Sequence, residues 1–197
     1  MTLEVQQELL EIIKEVFPGL EFTLVLDTEW SSLKPESRIQ IREAILAHAK
    51  KVGFLFDETE EQLVLDLSSP PHPKNFAVSI SHSPVAGGFA FIGMQRDIGF
   101  DLEVSERIEE KTIARVSTEK ELFAAPSPAH LWVAKEAAFK AFGSDKLKTM
   151  SQIETSNWIP LKNNFWAFKA LCGADVYGSG VSGVIKQQHL SLFLVSR

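Results

Sequence analysis

Three apolar runs stand close together in the middle of the chain: Phe76–Ser81, Gly88–Met94 and Ile98–Glu103. The linkers between them are short and contain Pro84, Gly87 and Asp97. Parallel neighbours need a crossover of about a dozen residues or more, so runs this close are expected to form an antiparallel meander. In the third run, Ile98, Phe100 and Leu102 point to one side of the strand and Gly99, Asp101 and Glu103 to the other, because successive strand side chains alternate. Two carboxylates thus share one face of a mostly apolar strand.

The flanks mix helices and strands. Leu9, Ile12, Ile13 and Val16 recur at helical spacing, and Pro18-Gly19 ends that helix. Phe22–Leu26 reads as a strand. A helix is expected from Pro35 to Val52, with Ile39, Ala44, Ile45 and His48 facing inward. Gln62–Leu67 reads as a further strand, followed by the breaker cluster SSPPHPKN. Glu106–Phe123 has a charged helical pattern. Ser127 can cap a helix with Pro128 at its first position and Gly143 as its stop. Ile153–Trp158, Phe165–Leu171 and Val184–Val195 read as strands, with turns at Gly173 and across Gly178–Gly183.

This order has no regular βαβ alternation, which predicts an α+β fold, not a doubly wound parallel sheet. No low-complexity linker divides the 197 residues, and each half carries a similar inventory of helix and strands. The net charge of −6 argues against a general nucleic-acid binder. The single cysteine, Cys172, excludes an internal disulfide and a cysteine-based zinc site. The acidic, amphipathic N-terminal segment lacks the pattern of a signal peptide, and no apolar stretch approaches the ~20 residues of a membrane span. A cytoplasmic protein is expected.

Three motifs carry possible chemistry. On the helix from Ser127, Glu136 and Lys140 are four apart and share a face, while Leu131, Ala134, Ala138, Ala141 and Phe142 form an apolar stripe. On the strand, Asp101 and Glu103 repel each other unless a positive group lies between them; Mg2+ is the simplest such group, since it takes oxygen ligands and bridges carboxylates to phosphates. At the end of another strand, Ser81-His82-Ser83 offers several donors suited to phosphate oxygens. Each has an ordinary structural reading when taken alone: a solvated ion pair, a solvent-facing edge strand, a capped strand-end turn. Gly178-Ser179-Gly180-Val181-Ser182-Gly183 matches G-x-G-x-x-G, but only fourteen residues follow and they read as a strand. A dinucleotide fingerprint requires a helix there, so a flexible loop or hairpin connection is expected.

Taken together and in this order, the three motifs resemble those of the 4′-phosphopantetheinyl transferase superfamily. The family pattern is S-H-S, then G-[hydrophobic]-D-[hydrophobic]-E, then W-x-x-K-E-[small]-x-x-K. Here these are Ser81-His82-Ser83, Gly99 to Glu103 and Trp132 to Lys140. The length resembles the long single-chain type that activates peptide and polyketide synthetases. The resemblance implies a pseudo-dimer of two similar α+β lobes, 1–96 and 97–197, with the active site at their junction near Gln95–Gly99. It implies a monomer that moves the 4′-phosphopantetheine group of coenzyme A to a serine of an acyl, peptidyl or aryl carrier protein, releasing adenosine 3′,5′-bisphosphate. Asp101, Glu103 and Glu136 would hold Mg2+. Glu136 would take the serine proton, Lys140 would contact the pyrophosphate, and Ser81 and His82 would donate to phosphate. Lys135 would bind phosphate or order the site, and Arg38 would contact the 3′-phosphate.

The chain departs from the family pattern in two places. Ser68-Ser69-Pro70 stands where Gly-Lys-Pro is common, leaving Lys34, Lys51 and Lys74 as other candidates for the 3′-phosphate. Gly143 to Lys148 replaces a glycine-rich turn with a lysine-containing one, suited to an acidic carrier protein. Two other readings compete: a noncatalytic binder of coenzyme A or carrier protein with the same fold, and a Mg2+-dependent hydrolase of nucleotide pyrophosphates.

Overall fold

The computed structural model describes residues 3–71, 73–93, 97–143, 147–173 and 176–196, with side chains from Leu9 onward. Among these residues the chain is mixed α+β, with six α-helices and two antiparallel sheets. The first sheet uses β1 (Phe22–Asp27), β2 (Ala77–His82) and β3 (Gly87–Ile92) in the order β1-β3-β2. The second uses β4 (Ile98–Val104), β5 (Ile153–Pro160), β6 (Phe165–Cys172), β7 (Val176–Ile185) and β8 (Gln188–Val195) in the order β4-β8-β7-β6-β5.

Side-chain alternation builds two layers. Leu24 and Leu26 of β1, Ala90 and Ile92 of β3, Ile98, Phe100 and Leu102 of β4, and Leu190, Leu192 and Leu194 of β8 face one shared core. Leu9, Ile12 and Ile13 of α1 (Leu3–Val16) close it, at the helical spacing read from sequence. The opposite faces are covered separately. Phe89 and Phe91 of β3 meet Ile41, Ile45 and Ala49 of α2 (Ser37–Lys51) and Val64 of α3 (Glu58–Leu65). Phe193 of β8 and Phe168 of β6 meet Ala134, Ala138, Ala141 and Phe142 of α6 (Pro128–Phe142). Ile39, expected inside, is exposed, while His48 packs edge-on to Phe91 as expected of an inner residue.

Gln62–Leu67 is not a strand: α3 covers most of it, started by a reciprocal capping box between Asp57 and Glu60. The three central runs are not one meander; β2 and β3 form a hairpin, but β4 leaves to pair with β8. The helical segment 106–123 is broken into a 3-10 turn at Ser105–Arg107, α4 (Glu110–Val116) and α5 (Glu119–Ala124), the last capped by Thr118.

Gly178–Gly183, expected as a loop or hairpin connection, is the interior of β7. The missing side chains there make room for aromatic rings. A Cβ on Gly180 would stand 2.3 Å from the ring of Phe168, and one on Gly183 2.2 Å from that of Phe165. The turn comes later, at Lys186 and Gln187, both with positive φ. The boundary proposed near Gln95–Gly99 lies partly outside the described residues, as do Met94, His72 and the 144–146 part of the lysine-containing turn.

Candidate functional site

The site is assembled where the edges of the two sheets meet. Asp101 and Glu103 lie on the face of β4 opposite the shared core, and α6 crosses that face. Gly99 allows this crossing: a Cβ there would sit 1.8 Å from the Ala137 carbonyl oxygen. Helix α6 begins where Ser127 accepts the N–H of His130 and ends at Gly143, with φ of 86°. Ala134, Ala137, Ala138 and Ala141 are small enough to bring its backbone onto the sheet. Glu136 and Lys140 then project from one face, one turn apart.

Lys140 reaches the seam between the sheets. Its Nζ donates to the Asp101 Oδ1 at 2.7 Å, to the Phe100 carbonyl at 3.0 Å and to the Ile80 carbonyl at 3.4 Å. Thus α6 of one layer ties β2 of the first sheet to β4 of the second. Glu103 Oε1 accepts the Val104 N–H at 2.9 Å and lies 3.7 Å from Arg107. Burial raises the Glu136 carboxyl above the usual carboxylate range; Asp101 and Glu103 push it further, with Lys140 opposing. Glu103 is raised too, by burial and then by Asp101, against the Val104 N–H, Arg107 and Lys140.

The three residues of the S-H-S motif have three different surroundings. Ser81 is buried; its hydroxyl donates to Asp101 Oδ1 at 2.9 Å and accepts the Leu102 N–H at 3.1 Å. It is engaged by β4, where the resemblance implied a phosphate contact. His82 ends β2 and is half-buried. Burial lowers its imidazole, and the positive charges of Arg38, Lys140 and Arg107 lower it further. Ser83 is fully buried and closes the hairpin, accepting the N–H groups of Val85 and Ala86 at 3.2 Å each.

Basic groups from three elements therefore act on His82 at the end of β2: Arg38 of α2, Arg107 of the turn after β4, and Lys140 of α6. Arg38 and Arg107 are exposed, as an approaching anion requires. Arg107 has no place in the motifs quoted from the sequence. Its only signal there was the four-residue spacing from Glu103, hidden because the chain changes from strand to turn between them. Of the other basic candidates, Lys34 is ion-paired with Glu29, while Lys51 and Lys74 are exposed.

Lys135 is not in this constellation. It is completely buried, and its Nζ donates to the carbonyls of Val116 and Ile153 at 2.7 Å each and pairs with Glu121 at 2.8 Å. Glu121 in turn accepts the N–H groups of Thr118 and Thr155. An ammonium so enclosed has nothing left for a phosphate. The pair fastens α6 to the end of α4, to α5 and to β5.

Asp101, Glu103 and Glu136 are hard oxygen donors whose mutual repulsion and desolvation a divalent cation would relieve. The donor set therefore fits Mg2+ chemically. Among the described residues, no three His, Cys, Asp or Glu side chains already form a metal cluster; in this arrangement Lys140 is the cation on Asp101.

Comparison with known proteins bears on the same elements. A family model for the 4′-phosphopantetheinyl transferase superfamily matches residues 97–169. That span carries β4 with Asp101 and Glu103 and α6 with Glu136 and Lys140; it stops short of Ser81 and His82. No curated protein matches the chain. Among the described residues no helix is long and apolar enough to cross a membrane.

Proposed function

We propose that this protein transfers the 4′-phosphopantetheine group of coenzyme A to a serine hydroxyl of a carrier protein, with adenosine 3′,5′-bisphosphate as the other product. The carrying observation is the contact of Lys140 with Asp101 at the sheet junction. That contact joins α6 to β4, Ser81 of β2 reaches the same Asp101 oxygen, and the family match over 97–169 points to the same chemistry. The two sheets meeting there support a reading as two lobes of a pseudo-dimer, of the long single-chain type.

Arg38, His82, Arg107 and Lys140 supply positive charge and donors for the phosphates of coenzyme A, including the diphosphate where the reaction occurs. Phosphoryl transfer depends mostly on such positioning and neutralisation. Asp101, Glu103 and Glu136 would hold Mg2+, which when bound neutralises diphosphate charge and acts as a Lewis acid. Glu136 accepts the proton of the carrier serine. A carboxylate beside the diphosphate can take that proton as a general base. The serine oxygen forms a bond to the phosphorus bearing the pantetheine arm, and the bond from that phosphorus to the bridging oxygen breaks. That oxygen leaves on adenosine 3′,5′-bisphosphate.

The test is mass spectrometry of a panel of apo acyl, peptidyl and aryl carrier proteins incubated with the protein, coenzyme A and Mg2+. Gain of one phosphopantetheine group on the carrier serine is expected. No gain across the panel overturns the proposal, and tight coenzyme A binding without transfer would identify a noncatalytic binder instead.

A further inference from the structure

β2 and β4 run alongside each other in the same direction, yet among the described residues no backbone ladder joins them; β2 pairs with β3 and β4 with β8. A buried strand edge cannot leave its N–H groups unpaired without cost. Two serines of β2 fill the gap. Ser79 Oγ accepts the Phe100 N–H at 2.9 Å, and Ser81 Oγ accepts the Leu102 N–H at 3.1 Å. Both serines are buried, as are Phe100 and Leu102. Two residues apart, they perform the same bridging step at successive rungs of the seam.

Their protons go to different places. That of Ser79 faces the Phe100 carbonyl at 3.5 Å, a weak contact. That of Ser81 goes to Asp101 Oδ1 at 2.9 Å. This same oxygen receives Lys140, so two donors fix the carboxylate from two sides. Among the described residues, neither donates to Oδ2.

We infer that Ser81 is a positioning residue, which orients the Asp101 carboxylate from the first sheet and leaves Oδ2 for a bound cation, and that Ser79 serves the seam alone. The inference rests on the proposed role of Asp101 as a cation ligand. It assigns to the first serine of the S-H-S motif a task different from contacting substrate. Groups that orient a ligating side chain typically matter by about tenfold to a hundredfold in metal affinity.

The matched pair of serines provides the experiment. Full-length wild type, Ser81→Ala and Ser79→Ala are titrated with Mg2+ in the presence of coenzyme A, following the melting temperature and, separately, the Mg2+ dependence of transfer. Both variants should melt lower than wild type, since each leaves one seam N–H unpaired. Only Ser81→Ala should shift the Mg2+ midpoint upward, by about tenfold or more, with Ser79→Ala staying near wild type. A Ser81→Ala midpoint equal to wild type, or equal shifts in both variants, overturns the inference while leaving the transferase reading intact. Wild type that transfers with no response to Mg2+ overturns the ligand role of Asp101 and this inference with it. Ser81→Cys, with a weak S–H donor in a similar volume, covers failure of Ser81→Ala to fold; a midpoint unchanged from wild type would again overturn it.

Discussion

Substituting Gly99 by alanine tests whether the approach of α6 to β4 builds the site. The added Cβ would lie 1.8 Å from the Ala137 carbonyl oxygen, 2.8 Å from its carbonyl carbon and 2.8 Å from the Ala141 nitrogen. Carbon–oxygen contacts relax at about 3.3 Å, so the strand and helix must part by roughly 1.5 Å. These three nearest atoms are all backbone, so no side-chain rotation relieves the clash. Overpacking typically costs about 1–3 kcal/mol, and this case belongs at the upper end. For a chain of this size, about 3 kcal/mol lowers the melting temperature by roughly 6–12 °C. The same separation carries Glu136 and Lys140 away from Asp101, and a displacement of about 1 Å can cost about a hundredfold in rate. Thermal unfolding and carrier modification are measured on the same preparation, with Gly173→Ala as control. Gly173 has nothing within 4 Å of its virtual Cβ, so only its φ of 65° opposes the change. A Gly99→Ala protein that melts with wild type and transfers at the wild-type rate would refute the argument. So would one that loses stability yet keeps full activity.

Lys135→Met should destabilise by about 3–5 kcal/mol in urea unfolding, because it strands the buried Glu121 carboxylate; a loss below about 1 kcal/mol contradicts the structural role given to the pair. Glu136→Gln should reduce transfer by about a hundredfold or more, yet stabilise the metal-free protein at neutral pH. The sign follows from the raised carboxyl: the folded state holds its proton more tightly than the unfolded state, so the contribution is present below the ordinary carboxylate range and lost as pH rises through the raised value. Equal stabilities of variant and wild type at neutral pH without metal would contradict it. Acid should weaken the fold at His130, which burial, aided by the neighbouring His189, pushes from 6.5 down to about 4. Here the unfolded state binds the proton first, so stability is present above pH 6.5 and falls as pH drops toward about 4. The separation corresponds to about 3 kcal/mol. His130→Gln should flatten the stability profile over that window, and an unchanged slope would exclude His130 as its source.

The site was legible in the sequence where one local spacing determines position. Glu136 and Lys140 share a helical face by their four-residue separation, and Asp101 and Glu103 share a strand face by alternation; no tertiary contact alters either relation. Lys135 shows the limit. Helical geometry places it beside the apolar stripe, but its burial depends on Glu121, fourteen residues earlier, and on two carbonyls of other segments. Nothing local announces such a partner. The strands failed for a related reason. Glycines at 178, 180 and 183 have turn chemistry in sequence, and only the rings of Phe193, Phe168 and Phe165 lying over them make them strand residues. Short linkers likewise suggested that β4 continues the first sheet, because strand partners are a tertiary choice. The helix Glu58–Leu65 was recoverable, since Asp57 and Glu60 have the capping-box spacing.

The surroundings of the three carboxylates divide the work among them. Asp101 receives Ser81 and Lys140 on one oxygen, and Glu103 receives the Val104 N–H with Arg107 nearby. These contacts fix where each oxygen points, although burial still raises the Glu103 carboxyl on balance. On Glu136 burial and the two neighbouring carboxylates act together, and the only opposing influence is Lys140, already in contact with Asp101. The carboxyl with the least support for its charge is therefore the one best able to hold a transferred proton. Asp101 and Glu103 have oxygens already aimed by those contacts, as ligands of the proposed cation would need. The difference in their surroundings is set by which of the three faces the β2 edge, the turn after β4, or neither.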